Sequence, residues 1–207
     1  CSAVTGSTAT VAQLKASNSP DGNVVEKGGQ AYNLRSITPA NRNVKTCSTA
    51  FASCTALTNF STSNSSVTSA LTSTLVDWAR GLNNNNPDEL NMGATVMRPS
   101  VHGDVVHSRP VAVNYGTDAL PSVVVFYGGN DGMLRAVNGN RTTSITSGTS
   151  TFTAGQELWA FIPPEFYSKI QRLNTNNPPI KIAGSDISGS TLKDYGMDGP
   201  ITAFQTN

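Results

Sequence analysis

The chain has 207 residues, 13% of them charged, and a formal net charge of +1. An average globular protein carries ~25% charged residues, so hydroxyl and amide side chains stand here where charges usually do. Near-neutrality removes any electrostatic pull toward nucleic acid or an anionic membrane. No apolar run approaches the ~18–20 residues of a membrane helix, and no signal peptide is visible. The length suits one or two domains. The composition suits a secreted or surface protein better than a cytosolic enzyme.

Residues 1–23 are small and polar around Val11 and Leu14, and Asn18 to Asn23 reads as a turn. A chain opening on Cys1 rather than Met reads as a processed product or a piece of something longer. From Val24 to Arg35, the Gly28-Gly29 pair argues against a helix and for a short strand, a turn and another extended segment. Residues 36–64 read as a surface excursion anchored by Phe51, Leu57 and Phe60. Within it, Cys47 and Cys54 enclose six residues, which is compatible with a local disulfide in an oxidising compartment. Zinc would need two further ligands nearby, and none stands at usable spacing.

Ser65 to Arg80 is predicted to be one helix, with Leu71, Leu75 and Trp78 on one stripe. Ser65 or Ser66 can cap it and Gly81 can end it. The run Asn83–Asn86 before Pro87 breaks the chain again.

From Met92 onward the pattern turns to strands. Val101 to Val113 is an extended segment interrupted by Gly103-Asp104 and Pro110. The clearest signal follows: Val123 to Tyr127, then Gly128-Gly129-Asn130-Asp131-Gly132, then an alternating strand through Met133, Leu134, Arg135 and Ala136. β-formers, a turn that tolerates positive φ and renewed alternation define a hairpin. After a Ser/Thr-rich loop over 140–154, Gly155 to Ile162 gives a third strand carrying Trp159. Three antiparallel strands in succession make most of a β-propeller blade. Pro163-Pro164 opens a second helix with Phe166, Ile170 and Leu173 on one side.

The expected fold class is therefore mainly β. It comprises a partial propeller of two to three antiparallel blades, two short helices and long polar loops. Residues 1–91 form a Ser/Thr/Asn-rich leading segment with one helix over 65–80, and residues 92–207 form incomplete blades. At roughly 40–50 residues a blade, this length cannot close a ring.

Little in the chain looks catalytic. His102 and His107 sit five apart, which points them to opposite faces of a continuous strand and away from a shared metal. They read as structural histidines. Asp104 and Asp131 are placed to accept backbone N–H bonds in their turns. Ser108, His107 and Asp104 lie too close along one segment to adopt triad geometry. Gly128-Gly129 lacks the lysine and the following helix of a phosphate loop. Tyr127, Leu134, Trp159 and Phe161 are expected in the core. The loops 36–64 and 140–154 are the better binding surface, since loops on a rigid scaffold usually carry recognition.

Two resemblances reach these residues. The wider is to the quinoprotein-like propeller repeat, through Asn130-Asp131-Gly132, Leu134, Ala136, Gly155 and Trp159, with the loop from Asn140 to Ala154 inserted. In such blades the Trp packs between neighbours. The narrower is to the PilC/PilY-type proteins of type IV pili. It runs through Glu26 to Arg35, Trp78 to Gly81, Gly103-Asp104 with His107-Ser108 and Pro110, Asn130 to Leu134, and Trp159 to Pro163. The closing Met197-Asp198-Gly199-Pro200 is similar to that family's Val-Asp-Gly-Ser/Thr-Pro and lacks its hydroxyl residue.

The resemblance implies a non-enzymatic bacterial surface protein that supports pilus assembly, counters retraction and mediates attachment. It implies export to the cell surface, pilus tip or outer membrane. It also implies minor or major pilins, the rest of the propeller and a host or surface receptor as partners, and no nucleic acid. The family usually carries a calcium loop, but no acidic Asp-x-Asn/Asp-x-Asp run occurs here, so no cofactor is expected in this segment. Two alternatives stand beside this reading. One is a fragment of a pyrroloquinoline-quinone dehydrogenase with its calcium; the other is a propeller scaffold of the outer membrane.

Overall fold

The computed structural model describes residues 28–84, 96–98, 100–181 and 188–204. The expectations for Cys1, Val11, Leu14, the Asn18 to Asn23 turn, Val24 to Lys27 and Asn85 to Pro87 lie outside these residues. In the first half one helix precedes a pair of strands and two follow it. α1 spans Gly28–Leu34 and buries Ala31 and Leu34. β1, Val44–Cys47, pairs antiparallel with β2, Leu57–Asn59. α2, Ser65–Thr68, and α3, Ser73–Arg80, follow.

The second half supplies the strands that were most legible. β3 is Val111–Asn114, β4 Val123–Gly128 and β5 Leu134–Asn138. β6, Ile145–Ser147, and β7, Ser150–Phe152, make a separate two-stranded hairpin. β8, Glu157–Phe161, returns to the main sheet, and α4, Tyr167–Thr175, follows a single 3-10 turn at Pro164–Phe166. The main sheet has six strands in the order β2-β1-β8-β5-β4-β3. β3, β4, β5 and β8 run as an antiparallel meander. β1 lies parallel to β8.

Register decides what each face buries. Val44 stands opposite Ala160. With Ile162 beyond the strand end, these residues pack against Val76 and Ala79 of α3, Tyr167 and Ile170 of α4, and Phe60. Fully burying side chains of this size contributes about 1.5–3 kcal/mol each. On the opposite face Phe126, Ala136 and Trp159 stand in one cross-strand row. The β6–β7 hairpin lays Ile145 and Phe152 beside them.

Gly132 sits at φ 81°, and a Cβ there would lie 2.0 Å from the Phe166 ring. Only glycine combines that backbone angle with so close an approach. The hairpin turn thereby reaches the 3-10 turn that leads into α4.

Several expectations need correction. Gly28-Gly29 starts a helix instead of breaking one. Gly28 takes a positive φ at the first position and the residues after it carry the helix. The helix expected over 65–80 is two helices, because Thr72 caps α3 from an extended conformation with its hydroxyl accepting the Leu75 N–H. Asn64, rather than Ser65 or Ser66, caps α2 by accepting from Ser66 N. Gly81 does end α3, at φ 115°. Among the described residues there are thus four short α-helices, where two were expected.

Residues 36–64 contribute β1 and β2 to the sheet, so the sheet crosses the boundary expected at residue 91. Of the three expected anchors, Phe60 is fully buried, whereas Phe51 and Leu57 are exposed. The stretch 140–154 is largely the β6–β7 hairpin, and the extended segment 101–113 is a strand only from Val111. The six-stranded sheet is mixed and open, where two to three antiparallel blades were expected. Phe161 is buried, but Tyr127, Leu134 and Trp159 are only half-buried. Among the described residues no helix is long and apolar enough to cross a membrane.

Candidate functional site at the Asn-Asp-Gly turn

The turn between β4 and β5 is the point where three distant stretches meet. The Asn130 N–H donates to the Asp104 carbonyl at 2.9 Å, and Asn130 Nδ2 donates to Asp104 Oδ2 at 2.8 Å. From the other side, Gly196 N–H donates to Asn130 Oδ1 at 3.1 Å and Met197 N–H to the Gly129 carbonyl at 3.1 Å. The Gly128 N–H donates to Ser108 Oγ at 2.9 Å. A Cβ on Gly128 would lie 2.0 Å from the Met197 carbonyl oxygen, so the 191–200 strap presses directly on the strand end. Asp198 takes the His107 N–H on Oδ1 at 3.3 Å and the ring Nδ1 on Oδ2 at 2.6 Å.

Beneath the turn runs a buried line of alternating charge. The Arg42 guanidinium grips Glu157 with two bonds, at 2.7 and 2.9 Å, and both side chains are about 1% exposed. Arg135 Nε lies 3.4 Å from the same carboxylate, while its terminal nitrogens pair with Asp131. Asp131 also accepts the Met133 N–H at 3.3 Å, the backbone bond expected of it.

Burial alone would raise the Asp131 carboxyl, but Arg135 outweighs it and holds it well below the usual carboxylate range. Glu157 follows the same logic, with burial opposed first by Arg42 and then by Arg135. For Arg135, burial disfavours the cation, and Asp131 and Glu157 more than restore it. Each charge is matched by a partner, the condition under which buried ions are tolerated.

Two neighbours complete this layer. His102 Nδ1 stands 2.6 Å from the Gly103 carbonyl, which can only accept, so that nitrogen carries the proton. Nε2 then accepts the Tyr127 hydroxyl at 2.8 Å. Burial, reinforced by Arg135, pushes the imidazole down to about 4, so it is neutral at ordinary pH. Arg80 donates to four carbonyls, those of Phe60, Pro39, Ala40 and Arg42, at 2.6–3.0 Å. It fastens α3 to the leading segment.

Beside the turn opens a cleft of about 450 Å³ between the 100–104 stretch, α4 and the strap. Trp78, Val101 and Leu173 give it an apolar wall, and Asp104, Asn130 and Lys193 a polar one. Arg98 stacks over the Trp78 ring at 4.0 Å. Arg172 is occupied by Asp194 and four backbone carbonyls. Among the described residues, no group of three His, Cys, Asp or Glu side chains is placed to hold a metal ion.

The structure therefore brings together Gly103, Asp104, His107 and Ser108 with Asn130, Asp131 and Gly132. Pro110 stands immediately before β3. Ala136 is fully buried, Leu134 half so, and the Gly155 N–H donates to the Asn138 carbonyl at 2.8 Å. Trp159 packs against Phe126, ring centroids 5.9 Å apart. Cys47 and Cys54 are disulfide-bonded with Cα atoms 5.5 Å apart. The paper triad does not assemble, since His107 faces Asp198 while Ser108 faces Gly128.

Sequence reasoning missed Arg42, Arg135 and Glu157 as members of the site. The available signal was that charges are scarce in this chain, yet Arg135 and Glu157 fall inside strand patterns. No protein-family model matches the chain, and neither a curated protein nor a solved structure is significantly similar to it.

Proposed function

We propose that this chain is part of the β-propeller of a type IV pilus-associated surface protein of the PilC/PilY type, acting in pilus assembly and adhesion and not as an enzyme. The observation that carries the reading is the meeting of its motif stretches at one turn. Gly103 to Ser108, Asn130 to Gly132 and Met197-Asp198 are far apart in sequence and bond to one another there. The antiparallel run β3-β4-β5-β8 has the strand number and connectivity of one propeller blade. Its Trp159 lies half-buried on the sheet face beside the β6–β7 hairpin, and on this reading it would meet a neighbouring blade there. The partners on this reading are pilins, the remaining blades and a surface receptor. The protein is exported to the bacterial surface, and no cofactor is assigned to this segment.

Fractionating sheared surface pili tests the reading. Co-purification of this polypeptide with pilin, and loss of surface pili on disruption of its gene, support it. Absence from the pilus fraction with piliation unchanged overturns it. Saturable binding of pyrroloquinoline quinone by the native protein would favour the dehydrogenase alternative instead.

A further inference from the structure

Three functional groups from distant parts of the chain meet at one oxygen atom. Oδ2 of Asp104 accepts from Lys193 Nζ at 2.5 Å and from Asn130 Nδ2 at 2.8 Å. The other end of that amide is held too, since Asn130 Oδ1 accepts the Gly196 N–H at 3.1 Å. Asn130 is 3% exposed, so its side chain is fixed between these partners. Lys193 Nζ lies 5.7 Å from the centre of the Tyr195 ring, which supports the lysine from its own segment. A surface ion pair needs no amide on the same oxygen. Here an amine nucleophile, a proton-carrying carboxylate and a polarised amide carbonyl stand together.

We propose that Lys193 and Asn130 become joined by an intramolecular isopeptide bond, with Asp104 carrying the proton between them. The unprotonated Nζ attacks Asn130 Cγ, and the Gly196 N–H stabilises the charge that develops on Oδ1. The Nζ–Cγ bond forms as the Cγ–Nδ2 bond breaks. Asp104 takes the proton released by Nζ and delivers it to Nδ2, which leaves as ammonia. The carboxylate is regenerated, and no oxidant or reductant enters.

Burial alone would raise Asp104, but its bonds from Lys193 and Asn130 bring it below the usual carboxylate range. It is therefore ionised at neutral pH and gathers the lysine as an ammonium. The step draws on the unprotonated amine, so its rate climbs as the pH is raised. The Lys193 and Asp104 side chains are 31% and 47% exposed, which lets water carry away the proton and the ammonia. Fixed proximity supplies the acceleration. The product fastens the strap to the turn irreversibly.

The test is the intact mass of the full chain after incubation at about pH 9. The expected result is a mass lower by one ammonia, with a branched peptide joining Lys193 to Asn130 after proteolysis. Asp104→Asn should slow this by about a hundredfold. Lys193→Arg keeps the charge beside Asp104 and should abolish the branched peptide and the mass loss together. An unshifted mass at every pH overturns the proposal. So does ammonia loss that persists in Lys193→Arg, because it would lie in an asparagine succinimide elsewhere.

Discussion

Glu157 shows what one buried charge demands of its surroundings. It sits in a strand, fully enclosed, and is held by Arg42 and Arg135 from two other parts of the chain. Arg42→Met leaves the carboxylate with one imperfectly aligned partner. The expected loss is about 3–5 kcal/mol, the usual result of breaking a buried pair from one side. Replacing Arg42 and Glu157 together by Met and Leu should cost far less than the two single losses combined, and a double-mutant cycle in urea measures the difference.

His102 gives a pH signature at the same scale. An unfolded histidine takes its proton near 6.5, whereas the folded one waits until about 4. Between those values the unfolded chain binds more protons, so stability falls as pH drops from about 6.5 to 4 and levels below that. The full effect is on the order of 3 kcal/mol. His102→Gln should flatten that part of the stability-versus-pH curve, and an unchanged curve would remove His102 from the account.

At the scale of elements, local chemistry and tertiary contact divide the work unevenly. Cys47 and Cys54 close a short loop at the end of β1. Converting both to Ser should cost about 2–3 kcal/mol, read as a shift in urea midpoint. Thr72 caps α3, and Thr72→Ala should cost about 1 kcal/mol by the same measurement.

The β4–β5 hairpin was legible because its turn needs residues that only a few side chains can replace. The third strand and the α4 stripe were legible by alternation and by spacing. β1 and β2 were not, since Val44-Lys45-Thr46-Cys47 and Leu57-Thr58-Asn59 are too short to show a period. Pairing of β1 with β8, a contact across more than a hundred residues of sequence, brings β1 into the sheet, and β2 follows by pairing with β1. The break at Thr72 was hidden because the apolar stripe continues straight through it, with Leu71 and Leu75 both buried. The charge network was hidden because alternation assigns Arg135 to the wet face, whereas it is fully buried and paired with Asp131 and Glu157.

For the whole molecule, the mixed sheet decides what can fold alone. Residues 92–207 contain the entire β3-β4-β5-β8 meander, yet its inner face is completed from outside. Val44 and Phe60 fill the core against Ala160, Ile162 and Ile170, and Arg42 neutralises Glu157. Without them β8 becomes an exposed edge with unpaired backbone groups, a template for aggregation. The Glu157 carboxylate would then be buried with only Arg135 for company. A version starting at Met92 is therefore expected to show no cooperative urea transition and to associate through its edges, whereas the full chain unfolds in one step. Circular dichroism through a urea series, with light scattering on the same samples, measures both. A cooperative, monomeric transition in the shorter version would mean that the meander is self-sufficient and that β1 and β2 are appended to it rather than integral.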